Sequence, residues 1–281
     1  RDGSLPAGRG DIGQERLAAA RNAFAARCRA AGQSGRHCWV GKATGMENVR
    51  PREAFDVAAA QAFSLSLARG EYESLQALVM PNGRDLEDVR VEVGDLTRER
   101  RGFADWFRSA DTLPASAFKT SPVGYVETVK PAPYRSGYNV ATNLPGGYLR
   151  QAGPSGLGWW PDPILDHLDR ADVKGDDVQA FWVRLKCPDA QRAGVYRGTL
   201  AVKEDGKDLA SLPVQIEVYP FMLPRARTHY DPTKRFISSW MGTPSLAGEL
   251  ARSKNMADAE RRVRGVYRSL AEHNCHEPRG P

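Results

Sequence analysis

The sequence predicts a mainly β protein: a β-sandwich domain, preceded by a helix and followed by the first βα unit of a truncated (β/α)8 barrel. Three observations lead to this prediction. Apolar and polar residues alternate in seven or eight short segments, which is typical of strands with one buried face. Turn-forming residues separate these segments, and few helical patterns interrupt them, as in a sandwich. Beyond residue 225 the pattern changes to a short apolar run and then an amphipathic helix.

The composition is that of a globular protein. The chain has 281 residues, of which 41% are hydrophobic and 26% are charged. No apolar run approaches the roughly 18 residues that a membrane span needs. The formal net charge of +6 is spread along the chain, whereas a nucleic-acid site would gather it on one face. We therefore expect no membrane span and no nucleic-acid partner.

Residues 1–35 are predicted to form a disordered lead and an amphipathic helix. The lead is rich in glycine and ends at Gly13. From there to Ala31, Leu17, Phe24 and Cys28 fall on one stripe of a helix, with arginines opposite. Two interpretations of this helix stay open: it caps the domain that follows, or it belongs to the end of an upstream domain.

Residues 36–225 are predicted to form the sandwich. In the segment 178–186, Phe181, Val183 and Leu185 face the core, and the alternate residues, Trp182 among them, face water or a covering element. The segment 196–202 is predicted to be its hairpin partner. Tight hairpin turns are expected at 69–71 and 205–207. The predicted strands are 37–42, 62–68, 72–80, 88–96, 121–128, 178–186, 196–202 and 213–219.

The strongest candidate for a binding site is the segment GWWPDPILD, residues 158–166. Its two prolines are disfavoured in helices and central strands, so we expect an ordered loop. Trp159 and Trp160 offer rings that can stack on the apolar faces of sugars, and Asp162 and Asp166 offer acceptors for sugar hydroxyls. The alternative is that the rings anchor the loop between domains and the carboxylates cap turns.

Residues 226–281 are predicted to begin a βα barrel. A buried strand is expected at 236–241, and a helix at 255–274, where apolar residues hold helical spacing. Trp240 lies near the end of the predicted strand, where barrel sites gather their residues. It is therefore the fourth candidate ligand-binding residue, with Trp159, Trp160 and Asp162.

The cysteines do not form a recognisable metal or redox motif. All four lie in different segments without a CxxC pair and fit no zinc spacing. A disulfide between Cys28 and Cys38 is one possibility, and free buried thiols are the favoured one. No GxSxG nucleophile motif is present. The sequence therefore predicts no metal site and no cofactor.

Four phrases then follow one another in a specific order: ARGEYESLQALV (68–79), VGYVET (123–128), GWWPDPILD (158–166) and GDDVQAFWVRLKCPDAQRAGVYRGTLAV (175–202). Their order resembles the amino-terminal domain of glycoside hydrolase family 123, a group of β-N-acetylgalactosaminidases and many uncharacterised bacterial relatives. The similarity covers residues 36–224. Its last part, VYPFMLP (218–224), is similar to the family's exit from the sandwich into the catalytic barrel.

The resemblance implies a sandwich, a (β/α)8 barrel and often a further β domain. It also implies substrate-assisted hydrolysis of a β-linked 2-acetamido sugar. The acetamido oxygen attacks the anomeric carbon, one carboxylate orients it, and a neighbouring acid protonates the leaving oxygen. In the family the two acids form an adjacent Asp-Glu pair on a later barrel strand. The adjacent acids here, Glu87-Asp88, Asp176-Asp177 and Glu204-Asp205, all lie in the sandwich half, so no catalytic residue is predicted.

We therefore expect the chain to be the non-catalytic amino-terminal part of a longer, exported glycoside hydrolase, whose signal segment is not in this sequence. Its expected partners are a glycan, bound through the full-length protein, and the missing barrel, through an intramolecular contact. Two alternatives stay open. The sandwich is a carbohydrate-binding module in its own right, or it is a structural or surface-assembly module that binds no sugar.

Overall fold

The computed structural model describes residues 14–50, 55–100, 111–128, 158–175, 177–223, 238–239, 244–272 and 275–276. The predicted disordered lead lies outside these residues. The chain divides into two compact units, Arg1–Phe221 and Met222–Pro281. The division into segments 1–35, 36–225 and 226–281 stays a prediction.

The first unit is mainly β, as predicted. A helix, α1 (Gln14–Cys28), continues in a wider turn to Gln33 and precedes the strands. The described strands of this unit are β1 (Cys38–Thr44), β2 (Ala58–Ala59), β3 (Phe63–Arg69), β4 (Tyr72–Pro81), β5 (Leu86–Val93), β6 (Leu96–Arg98), β7 (Thr112–Leu113), β8 (Phe118–Thr128), β9 (Gly158–Ile164), β10 (Arg170–Val173), β11 (Gln179–Lys186), β12 (Gly194–Glu204) and β13 (Lys207–Met222).

These strands form two sheets that enclose one core. The six-stranded sheet has the order β2-β1-β4-β11-β8-β9. The seven-stranded sheet has the order β10-β5-β12-β13-β3, with β6 pairing with β12 and β7 with β6. Inward-facing residues of both sheets meet in a single buried cluster, which includes Val79, Phe181, Val183, Leu185, Tyr196, Leu200 and Ile216. The β-sandwich prediction is thus confirmed, and so is the inward orientation of alternate residues on β11.

The outer face of the six-stranded sheet, where the alternate residues of β11 are predicted to face water or a covering element, is covered at one end. Helix α1 lies there and buries Phe24 and Cys28 against Leu78 and Met80 of β4. The Phe24 ring lies so close to β1 that a Cβ at Gly41 would be 2.8 Å from its Cζ atom. Of the two interpretations of this helix, the capping one is correct. We call this region the covered end.

A buried amide ties α1 to the sheet. The Gln33 side chain is fully buried, and its Nε2 donates to the carbonyl oxygens of Val40 and Ala60, both at 2.8 Å. Its Oε1 accepts a hydrogen bond from the Val40 N–H, also at 2.8 Å. Because buried polar groups stabilise a fold only when they are paired, this threefold contact fixes the helix end on β1.

Two predicted hairpins are wrong and one is confirmed. β11 pairs with β4 and β8, whereas β12 pairs with β5, β6 and β13, so β11 and β12 belong to different sheets. Gly70 (φ 77°) likewise carries the chain from β3 in one sheet to β4 in the other. Asp205 (φ 44°) and Gly206 (φ 75°) do join β12 and β13 in a two-residue hairpin, as positive φ at both positions favours.

The second unit contains helices and a short parallel strand pair. β14 (Ser238–Ser239) pairs in parallel with β15 (Cys275–His276), and α2 (Leu246–Ser253) and α3 (Met256–Glu272) lie between them in sequence. The Ser245 hydroxyl caps α2 by accepting a hydrogen bond from the Gly248 N–H at 3.0 Å. The helix predicted at 255–274 is confirmed, α2 was missed, and the barrel stays a prediction.

None of the helices in the described ranges is both long and apolar enough to cross a membrane.

Candidate functional site

The predicted Trp-Trp-Pro-Asp-Pro loop is in fact an edge strand, β9, which is the last strand of the six-stranded sheet. It pairs with β8 in an antiparallel register that shifts between Val123 and Tyr125. An edge position explains the error, because Pro161 and Pro163 need no N–H partner on the open side of an edge strand. Gly124 is required opposite the second proline, since a Cβ there would lie 2.8 Å from the Pro163 Cγ atom.

The two adjacent tryptophans have different environments. Trp159 is buried, with 8% of its surface exposed. Trp160 is half-buried, and the guanidinium carbon of Arg50 lies 3.3 Å from the centre of its ring. Arg50 therefore covers one face of the ring in a cation–π contact. A sugar that stacked on Trp160 would have to use the other face or displace Arg50.

Arg50 also lines a cavity of about 420 Å³ beside the outer edge of β1. Its polar lining residues are Lys42, Glu47, Asn48, Arg50 and Asp56, and its apolar lining residues include Val49, Phe55 and Val57. Several of the polar groups already have partners. Asp56 Oδ1 lies 3.3 Å from Arg27 Nη1, and Lys42 Nζ donates to the Ala62 carbonyl at 3.2 Å. A cavity that mixes acids, bases and an apolar wall suits a polar, uncharged ligand.

The two predicted carboxylates, Asp162 and Asp166, have different environments. Asp162 is exposed on β9. Asp166 is instead held by its own chain: its Oδ1 accepts from the Ser121 hydroxyl at 3.1 Å, and its Oδ2 lies 3.3 Å from Lys119 Nζ and 3.5 Å from Arg184 Nη2. Partial burial raises its pKa, but the charges of Arg184 and Lys119 outweigh burial and hold the pKa below its usual range.

The remaining predicted binding residue, Trp240, lies outside the described residues. Trp182 has a covering element, as the sequence suggested, but the turn after β1 contributes to it, whereas the barrel or the long loop between β8 and β9 was expected to supply it. Trp182 packs partly buried against the cluster under α1. A Cβ at Gly45 would lie 3.2 Å from its Cη2 atom, so the turn after β1 lies directly on this ring. The binding roles of Trp159, Trp160, Asp162 and Trp240 stay predictions.

Three of the adjacent acids of the sandwich, Glu204, Asp88 and Asp177, are engaged in ion pairs or backbone hydrogen bonds. Arg84 forms a bidentate pair with Glu204, and this hydrogen bonding holds the pKa of Glu204 below its usual range. Asp88 accepts from Arg170 Nη1 at 3.0 and 3.1 Å. Asp177 Oδ1 accepts from the N–H of Val178 at 2.8 Å, and Asp176 lies outside the described residues. The lowered pKa of Glu204 favours its charged form, which does not suit a general acid.

Three of the four thiols, those of Cys28, Cys38 and Cys187, are free, as favoured by the sequence, and are poor nucleophiles. Cys28, Cys38 and Cys187 are buried and unbridged. Burial raises the pKa of Cys28 and Cys187 to about 11 and that of Cys38 to about 12, so all three stay protonated at neutral pH. Within the described ranges, no group of three or more His, Cys, Asp or Glu side chains is arranged to hold a metal ion.

The residue that sequence reasoning missed at this edge is Arg50. It precedes Trp160 by 110 positions, and no motif or periodicity links the two. Arg50 reaches the ring because Val49 and Phe55 bury themselves in the cluster under α1. The contact depends on this packing, so only the folded chain reveals it.

A comparison with one solved structure supports the fold. A family 123 glycoside hydrolase from Clostridium perfringens, described for its glycolipid glycan hydrolysis, has a similar fold, with a TM-score of 0.50 and 14% identity over 75% of this chain. The similarity covers 32% of that enzyme's chain. A PapD-like domain of human CEP192 is more distant, with a TM-score of 0.28 and 9% identity over 56% of this chain and 82% of that domain. No curated protein sequence matches this chain.

The match to a protein family is more direct evidence than the similarity to solved structures. Residues 51–204 match the glycoside hydrolase 123 N-terminal domain. The matched region runs from the segment before β2 to the end of β12 and includes the β9 edge with both tryptophans. Through this region, the chain belongs to the family of glycoside hydrolase 123 N-terminal domains.

Proposed function

We propose that this chain is the non-catalytic amino-terminal sandwich portion of a glycoside hydrolase that acts on glycans with β-linked 2-acetamido sugars. The observation that carries the proposal is the family match over residues 51–204. The bidentate pair of Glu204 with Arg84 supports the non-catalytic part, because it holds the pKa of Glu204 below its usual range and so keeps this acid from delivering a proton. The reactive acids would then belong to a barrel that follows the sandwich.

The test compares the 281-residue chain with the product of the complete open reading frame that encodes it. Both are incubated with 4-nitrophenyl β-N-acetylgalactosaminide, and release of nitrophenol is followed. We expect release by the complete product only. Hydrolysis by the 281-residue chain that disappears in Glu204→Gln or Asp88→Asn would place the catalytic acids in the sandwich and overturn the proposal.

A second candidate function is supported by the cavity beside Arg50. In this version the sandwich itself binds a neutral sugar, with Trp160 as the stacking ring and the polar cavity residues as hydrogen-bonding partners. Titrating the 281-residue chain with β-N-acetylgalactosaminides should then change its Trp fluorescence, and Trp160→Ala should remove the change while Trp182→Phe retains it. A flat titration would remove this candidate and leave a structural or surface-assembly role.

The proposal also concerns the compartment in which the protein works and the domain with which the sandwich makes contact. Glycans of this class lie outside the cell, so we infer that the protein is exported to the periplasm, the cell surface or the medium. Within the protein, we infer that the sandwich braces the barrel. Fractionation of the native host with an antibody against the 281-residue chain tests the first inference, and recovery of the protein in the cytosolic fraction alone would contradict it.

A further inference from the structure

The outer face of the six-stranded sheet has a second end, which α1 does not cover, and which carries three basic residues. We call it the open end and define it by Tyr72, Lys119, Arg184 and Lys186. The strand register places Arg184 opposite Lys119 on β8, and Lys186 opposite Tyr72 on β4. Arg184 and Lys186 are two residues apart on β11, so they project from the same face with about 7 Å between them.

The same face already holds a carboxylate. Asp166 lies over β8 and β11, where Lys119 Nζ, Arg184 Nη2 and the Ser121 hydroxyl surround it at 3.3, 3.5 and 3.1 Å. The chain itself therefore shows that this surface can coordinate an anionic oxygen. With one carboxylate against three cations, the open end keeps an excess of positive charge.

Lys186 is the cation best placed for an external partner. It is exposed, and among the described residues no carboxylate forms an ion pair with it. Its Nζ lies 5.0 Å from the centre of the Tyr72 ring, which holds the ammonium group over the sheet. Lys119 and Arg184 keep donors beyond those that reach Asp166, since an ammonium has three N–H groups and a guanidinium five.

We propose that the open end binds an anionic saccharide, with its carboxylate or sulfate groups paired to Lys119, Arg184 and Lys186. Charge complementarity supports an anionic ligand, and the spacing of about 7 Å along β11 suits charges on a repeating chain rather than a single ion. The choice of a saccharide rests on the proposed function. The open end is separate from the Trp160 edge, because its residues come from β4, β8 and β11 and not from β9.

The experiment is a calorimetric titration of the 281-residue chain at low ionic strength. Each of the three probes contains a 2-acetamido sugar: a chitooligosaccharide, which is neutral, an unsulfated chondroitin oligosaccharide, which carries carboxylates, and its sulfated form. We expect both chondroitins to bind and the chitooligosaccharide not to bind at the open end. Tighter binding of the sulfated form identifies sulfate as the preferred group, and equal binding identifies the carboxylate. Binding should weaken steeply with added salt.

Variants locate the site. Lys186→Ala should weaken chondroitin binding about fivefold, as expected for the loss of one exposed ion pair. Lys186→Glu should abolish it. The matched control is Lys207→Glu, an equally exposed charge reversal at the start of β13 on the other sheet, which should leave the affinity unchanged. Thermal unfolding of each variant, followed by circular dichroism, confirms that its fold is intact.

Several outcomes would overturn the inference: no heat with either chondroitin, equal binding of the chitooligosaccharide, or equal effects of Lys186→Glu and Lys207→Glu. A membrane would be the partner instead if the chain binds neither chondroitin but sediments with phosphatidylserine vesicles, and if Lys186→Glu abolishes this sedimentation. Because no probe needs to be hydrolysed, a failure here leaves the proposed function standing. Loss of hydrolysis in the complete product would count against the proposed function, and the calorimetric titration would still decide whether the open end binds an anionic saccharide.

Discussion

The covered end and the open end belong to the same face of the same sheet, yet they serve different purposes. At the covered end, Leu78 and Met80 point outward and are buried beneath α1. At the open end, Lys119, Arg184 and Lys186 occupy equivalent outward positions on β8 and β11, where the two lysines are exposed and Arg184 is half-buried. Apolar burial is the main source of stability, whereas exposed charges contribute little. The comparison therefore predicts that substitutions at the covered end affect folding, and that those at the open end affect binding.

The largest effect is expected for Phe24→Ala. Its ring is fully buried and packs edge-on against Phe55, with 5.7 Å between the ring centres. Removing a buried phenyl group leaves a cavity, so we expect the free energy of unfolding to fall by about 3 to 5 kcal/mol. Urea denaturation measures it. Ser211→Ala, on the exposed outer face of β13, is the control and should change stability by less than about 0.5 kcal/mol. Equal effects of the two substitutions would show that α1 does not cover the sheet.

The next effect is expected for Gln33→Ala. The substitution leaves the N–H and carbonyl of Val40 and the carbonyl of Ala60 without their side-chain partner. Buried unpaired groups are costly, and we expect a loss of about 2 to 3 kcal/mol in urea denaturation. Asn82→Ala is a matched control, because the Asn82 amide donates to the Arg36 carbonyl at 2.8 Å in an exposed position. The control should lose about 0.5 kcal/mol, and a Gln33 variant as stable as the control would contradict the threefold contact.

A smaller effect is expected for Arg50→Ala, between the covered end and the β9 edge. The substitution removes the guanidinium that lies over Trp160, and a cation–π contact of this kind is worth about 1 kcal/mol. Trp160 should then become more exposed, so we expect a red shift of the Trp emission that is absent in the double variant with Trp160→Phe. An unchanged emission spectrum would argue against the stacked geometry.

The smallest effect is expected for Asp166→Asn at the open end. The pKa of Asp166 is lowered in the folded chain. Its ion pairs therefore stabilise the fold fully above the unfolded pKa of about 3.9. This contribution is lost as the pH falls through the folded pKa. Because the side chain is 46% exposed, solvent screens the pairs, and we expect a difference of less than about 1 kcal/mol at pH 7. Urea midpoints of both proteins should converge as the pH falls through the folded pKa of Asp166. A difference in stability between the two proteins that grows as the pH falls would contradict this prediction.

Eight of the thirteen strands described in the first unit could be predicted from the sequence, but most of their partners could not. Alternation along 178–186 correctly identified Phe181, Val183 and Leu185 as core residues, because alternation reports which face is buried. It does not report which strand lies alongside. Short connections suggested hairpins after β3 and β11, yet both connections cross between the sheets. In a sandwich, a strand that turns into the opposite sheet buries its apolar face in the same core, so the two arrangements produce the same pattern.

The candidate site was predictable only in part. The sequence identified Trp159, Trp160 and Asp162 as unusual, and the structure places all three on one edge strand. Pro161 and Pro163 predict a loop only if edge strands are left out of account, because proline is excluded from central strands but not from edge strands. Arg50 left no local signal, and neither did the pairing of Asp166 with Lys119 and Arg184, because both depend on residues brought together by the fold.

The Gln33 contact has a practical consequence for where this domain can be cut. The family match begins at residue 51, but a protein shortened to that point would lose both α1 and β1. The outward side chains Leu78 and Met80 would then meet water, and β4 would become an unprotected edge able to pair with other molecules. The smallest soluble form should therefore start ahead of the helix, and trimming to residue 51 should yield inclusion bodies.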